Sequence, residues 1–101
     1  MLGTASVASA SPAAAAAVVP ADSCGYYSGT ALTQRGNSGP RVYEIQCLLN
    51  WYSGYPVSVT PDGDFGPATE RGVRWLQSCA GLTVDGLVGT NTWRALRTSS
   101  C

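Results

Sequence analysis

Two stretches, DGDFGPATERGV from Asp62 and DGLVGTNTWRAL from Asp85, share the pattern Asp-Gly-x-x-Gly-x-x-Thr at an offset of 23 residues. Each reads as a tight turn, an apolar residue, a Gly-led helix start and a helix. The segment RGNSGPRVYEIQ from Arg35 is a degenerate third copy. The period is short and the copies few, so the pattern predicts one compact domain and no solenoid.

Working outward, a first helix is predicted near Pro40, which suits a first helical turn, with Ser38 or Gly39 as the cap. Val42, Ile45, Leu49 and Tyr52 form its apolar stripe, with Leu48 beside it. A second helix runs from Pro67 to about Cys79, with Thr69, Val73, Leu76 and Ala80 inward. Gly72 sits in its middle, at a cost of up to about 1 kcal/mol relative to Ala unless something packs closely there. A third covers Thr90 to about Arg97, with Trp93 and Leu96 inward. Val57 and Val59 alternate as in a short strand, and Pro61-Asp62-Gly63 is a turn. The expected fold class is mainly α, a compact three-helix bundle with Asp-Gly turns.

Composition narrows the chemistry. Six Arg balance six acids, so no net field favours nucleic acid or an anionic membrane. There is no His and no Lys among the 101 residues. A Ser-His-Asp or Cys-His site cannot be built within the chain, and a zinc site would rely on thiolates. Neither a cofactor nor a metal is expected. Catalysis would rest on carboxylates such as Glu44 with Glu70, and no motif supports that pair.

Residues 1–21 are uncharged and rich in Ala and Ser, with small-residue triplets that resemble signal-peptidase sites. They are read as a signal-peptide remnant or a disordered Ala-rich leader, the true start lying upstream. Residues 22–101 then form a single domain. Four cysteines, Cys24, Cys47, Cys79 and Cys101, without any Cys-x-x-Cys pair, favour structural disulfides in a secreted protein over metal binding. Three pairings are open. Cys24 and Cys101 lie just outside the patterned region, which suggests a clasp joining the termini and leaves Cys47 with Cys79.

The blocks Gly36-x-x-Gly39-x-x-Val42-x-x-Ile45-Gln46, Asp62-Gly63-x-Phe65-Gly66-x-x-Thr69, Val73-x-x-Leu76-Gln77, Gly81-Leu82 and Asp85-Gly86-x-Val88-Gly89-x-x-Thr92-Trp93-x-x-Leu96 resemble the type-1 peptidoglycan-binding domain family. The resemblance covers about 62 residues, Gly36 to Arg97. It implies a three-helix fold of the kind found beside cell-wall hydrolases and carboxypeptidases, which it holds on murein. The flank Cys24-Gly25-Tyr26, followed by a Ser-Gly-Thr stretch, also looks like secreted actinobacterial members of the family, which implies a terminal disulfide resembling Cys24–Cys101. Leu76, Gly72 and Trp75 depart from the family's usual Phe, Ala and polar residue.

A wall-binding module needs a shallow groove, aromatic faces for sugars and short polar groups for hydroxyls and amides. The expected ligand-binding residues are Trp75, Trp51, Tyr55, Asp62, Thr69, Arg74 and Asp85. Trp75 lies about 150° from the stripe of Val73 and Leu76, where it either meets ligand or shields a Cys47–Cys79 bridge. Asp62 and Asp85 serve their turns first, Phe65 plugs the core, and Thr69 and Thr92 cap or back-bond their helices. Gln46 and Gln77 each tie a loop to the bundle. Arg41, Arg71 and Arg74 are either solvated or meet stem-peptide carboxylates.

The sequence therefore points to a secreted, cell-wall-associated, non-catalytic monomer that binds peptidoglycan, alone or with a separate cell-wall hydrolase as partner. No nucleic acid or membrane partner is expected. The competing class is a small disulfide-bonded effector, such as a protease inhibitor or antibacterial protein, acting through the loop from Tyr52 to Gly63.

Overall fold

The computed structural model describes residues 24–98. Among the described residues are three helices, α1 (Pro40–Trp51), α2 (Pro67–Cys79) and α3 (Thr90–Thr98), and no strands. Both α1 and α2 open on Pro directly after a glycine cap, Gly39 and Gly66, and neither cap makes a side-chain hydrogen bond. Pro suits that place because the first-turn N–H would have no helical acceptor. Ser38 does not cap α1; it forms an isolated antiparallel bridge with Asp64.

Every helix contacts the other two. Val42, Ile45, Leu48 and Leu49 of α1 meet Val73 and Leu76 of α2 and Trp93, Ala95 and Leu96 of α3 in one buried core. Phe65 and Val88, at the same place in the two repeated units, are buried too, so each turn drops one apolar side chain into the bundle. Gly72 has its close neighbours: a Cβ there would lie 2.8 Å from Leu49 Cδ1 and 3.2 Å from the Tyr55 ring. The missing side chain lets α1 and the loop after it approach α2.

Two expectations are corrected. Val59 is buried and Val57 exposed, as alternation requires, but no strand forms. The ladder partner is a side chain instead: Asn50 Nδ2 donates to Val59 O and its Oδ1 accepts from Val59 N–H, both at 2.8 Å. One amide thereby satisfies both backbone groups of Val59, so a paired strand is not needed. The second correction concerns the cysteines. Cys24 is bonded to Cys47, with Cα atoms 6.1 Å apart, which excludes both the Cys24–Cys101 clasp and a Cys47–Cys79 bridge. Cys79 is also oxidised, and Cys101 lies outside the described residues, as does the whole of residues 1–21.

The physical reason is a strap, residues 24–33, that crosses the bundle from α1 to α3. The Glu44 carboxylate, fully buried in α1, accepts N–H bonds from Cys24 (3.0 Å), Tyr26 (2.8 Å) and Tyr27 (3.2 Å). This seats Cys24 over α1, near Cys47. Further along, Arg97 donates to Tyr27 O and Gly29 O at 2.8 and 2.7 Å, with its guanidinium 4.4 Å from the Trp93 ring centre. The Trp93 indole N–H donates to Ala31 O at 2.9 Å, and Thr33 pairs with Val88 by two backbone bonds.

Candidate functional site

The two Asp-Gly turns are built alike around a buried glutamine. Gln46 Nε2 donates to Asp62 Oδ1, Asp64 O and Thr69 Oγ1 at 3.0–3.1 Å, and its Oε1 accepts the Gly63 N–H at 2.9 Å. Gln77 Nε2 donates to Asp85 Oδ1, Leu87 O and Thr92 Oγ1 at 2.9–3.2 Å, and its Oε1 accepts from Asp85 and Gly86 N–H at 3.1 and 3.0 Å. In each turn the Asp Oδ1 also accepts the N–H two residues on, from Asp64 and Leu87, at 2.9 Å. The turn glycines Gly63 and Gly86 take φ of +77° and +75°, open to Gly without steric cost.

These bonds favour the ionised carboxylates. Asp62 is held below its ordinary 3.8, first by the Asp64 N–H and then by Gln46. Asp85 is held below 3.8 too, the Leu87 N–H and the Gln77 amide outweighing its partial desolvation. Glu70 is lowered from 4.5 chiefly by its bond to Arg35, 2.8 Å away, with Arg74 adding to it. Asp62 and Asp85 therefore stay charged at neutral pH, each with its Oδ1 engaged by its turn.

An open groove of about 530 Å³ lies beside the second turn. Leu32 from the strap, Leu82 and Leu87 supply its apolar surface, and Thr83, Asp85, Thr90 and Asn91 its polar surface. Gln77 and Thr92, which hold the turn, back it. A smaller recess of about 150 Å³ adjoins through the shared Leu82 and Asn91, and brings in Arg94 and Ala95.

Of the expected ligand-binding residues, the structure puts Asp85 in this groove. Arg74 lies alongside the turn, its guanidinium within 3.5 Å of Glu70 Oε2 and of the Val84 and Asp85 carbonyls. Thr69 is 2% exposed, its hydroxyl enclosed against Gln46. Asp62 stands at the other turn. Trp75 and Tyr55 are half-buried against each other, ring centres 5.2 Å apart, over Gly72. That contact, in place of a Cys47–Cys79 bridge, accounts for Trp75 lying off the inner stripe. Trp51 is 77% exposed at the end of α1.

The sequence reading missed Leu32, Leu82, Leu87, Thr83, Thr90 and Asn91 as groove residues. Two signals pointed there: Leu32 and Leu87 are apolar in stretches otherwise set by turns, and Thr90-Asn91 replace the Pro67-Ala68 of the first copy. It also took Glu44 and Glu70 as a conceivable catalytic pair. Glu44 holds the strap and Glu70 is paired with Arg35 and Arg74.

The model of the peptidoglycan binding domain family matches residues 38–96, from just before α1 into the last turn of α3. A zinc D-Ala-D-Ala carboxypeptidase of Streptomyces albus G is 37% identical over 87 residues, 86% of this chain and 33% of that enzyme. An uncharacterized protein of Kitasatospora aureofaciens is 39% identical over 84 residues, 82% of this chain and 70% of that protein. Among solved structures, the SleB N-terminal domain superposes with a TM-score of 0.63 at 34% identity, matching 74% of this chain to all of that one. The chain thus spans about a third of the carboxypeptidase's length. With its three helices, its twin Asp-Gly turns and this match over most of the described bundle, the chain belongs to the peptidoglycan-binding domain family.

Proposed function

We propose that the chain is a secreted, non-catalytic module that attaches to bacterial cell-wall peptidoglycan through the groove beside Asp85. The observation that carries this reading is the groove itself. Exposed Leu32 and Leu87 converge there with hydroxyl, amide and carboxylate side chains on a rigidly hydrogen-bonded turn. A shallow surface of mixed polarity suits adhesion to a polymer, where weak contacts repeat. Trp51, the most exposed of the three Trp, offers a second, sugar-stacking contact.

The absence of a role for hydrolysis is supported by the carboxylates, since Glu44 serves the strap and Glu70 two arginines. Secretion is supported by the Cys24–Cys47 disulfide, because such bonds persist in oxidising compartments. A separate cell-wall hydrolase as partner is suggested by the name of the carboxypeptidase relative. The module would work as a monomer. The test is incubation of the oxidised chain with insoluble sacculi and, in parallel, with chitin and cellulose. Saturable retention on sacculi alone, with no soluble fragment released, is the expected result. A folded chain that sacculi do not retain would move the effector reading to first place.

A further inference from the structure

We infer that the groove beside Asp85 takes the peptide stem of the wall polymer, not its glycan, with a side-chain amine of the stem at Asp85 and a carboxylate toward Arg94. This rests on the reading that the chain binds peptidoglycan, and goes on to name which part of the polymer this site grips.

The lining carries the argument. Among the described residues, no aromatic ring borders either part of the groove, whereas sugar faces are characteristically gripped by aromatic rings. Instead, leucine methyls stand beside Thr83, Thr90 and Asn91. That mixture fits a short peptide, with methyl side chains against Leu82 and Leu87 and backbone amides against the hydroxyls and the Asn91 amide. Charge gives the direction. The Asp85 carboxylate keeps one oxygen on Gln77 and the Leu87 N–H, leaving the other for a cation. At the far recess Arg94, 3.4 Å from Asn91 Oδ1 and exposed, supplies the positive charge.

The internal repeat serves as a control. Asp, Gly and Thr recur in both units because the turn requires them. Yet the first unit has Pro67 and Ala68 where the second has Thr90 and Asn91, so the fold itself does not demand polar side chains there. Asp62 makes the same turn bonds as Asp85 and is not among the residues that line this groove.

The test titrates the isotopically labelled, oxidised chain with three probes: a synthetic stem tetrapeptide with a free side-chain amine, the same peptide acetylated on that amine, and a chitin oligosaccharide. The free peptide should shift the amide signals of Thr83, Asp85 and Asn91. Acetylation should weaken it roughly fivefold, the upper range for an exposed ion pair. Asp85→Asn, which keeps an acceptor for the turn, should weaken the free peptide by the same factor and leave the acetylated one unchanged. Asp62→Asn should change neither. Groove shifts with the oligosaccharide but not the peptide would overturn the inference, as would equal losses from the two Asp variants. Sacculi separate the two levels: retention on sacculi without peptide binding sinks this inference alone, and no retention with no peptide binding sinks the wall reading with it.

Discussion

Gln46 and Gln77 are buried amides, each joining a helix to the turn that follows it through both its nitrogen and its oxygen. Replacing either by Ala leaves backbone N–H groups and a Thr hydroxyl without partners in a space too small to relax freely. Gln77→Ala should therefore lower unfolding stability by about 3 kcal/mol in urea titration; a loss under about 1 kcal/mol would mean that water takes over the bonds. The acids set the pH behaviour. Because Asp62, Asp85 and Glu70 all have folded values below the ordinary 3.8, 3.8 and 4.5, their contribution is fully present above those values. It is lost as pH falls through the lower folded values. The melting temperature should hold steady above about pH 5 and fall progressively below about 4.5. Asp62→Asn combined with Asp85→Asn should flatten that acid limb, and an unchanged limb would show that other groups carry it.

At the level of elements, α2 is shaped by what it lacks. Gly72→Ala gains up to about 1 kcal/mol of helix propensity but drives a methyl into Leu49 and the Tyr55 ring. The net expectation is a loss of about 1 to 2 kcal/mol, partly recovered by Leu49→Val; a more stable Gly72→Ala would mean that Leu49 yields freely. The strap is the other decisive element. Cys24 and Cys47 close a loop of 23 residues' separation, so Cys24→Ser with Cys47→Ser should cost about 3 kcal/mol by loop entropy, read by chemical denaturation. An unchanged midpoint would mean that Glu44 and Arg97 hold the strap unaided. The helix starts and both turns were legible because their signals are local: Gly followed by Pro, and Asp-Gly ahead of an apolar residue. Gln46 and Gln77 were legible as ties for the same reason. The strap was not, since Glu44 reaches its partners across 17 to 20 residues and Arg97 across 68 to 70. The disulfide depends on that path, so position along the chain misled the pairing. Alternation at Val57 and Val59 gave the right facing while hiding that Asn50 is the partner.

For the molecule as a whole, the repeated unit provides a stable frame twice, and the second copy has a groove of about 530 Å³ next to it. The sequence drew attention to aromatic residues because an exposed ring is conspicuous in a string of letters. Folding pairs Trp75 with Tyr55 and leaves Trp51 outside, while the groove sets Leu32 of the strap against the turn and helix start within residues 77–92, far along the chain. Retention on sacculi can weigh these surfaces against each other, using the oxidised wild-type chain, a groove variant with Leu87→Ser and Asn91→Ala, and Trp51→Ser. All three changes fall on exposed side chains and leave the core untouched. The account predicts that Trp51→Ser, which loses only the second contact, needs about twofold more protein than wild type to saturate, and that the groove variant needs about tenfold more, the effect of about 1.4 kcal/mol. Full retention of a folded groove variant, with loss confined to Trp51→Ser, would contradict it and move the wall contact to the end of α1.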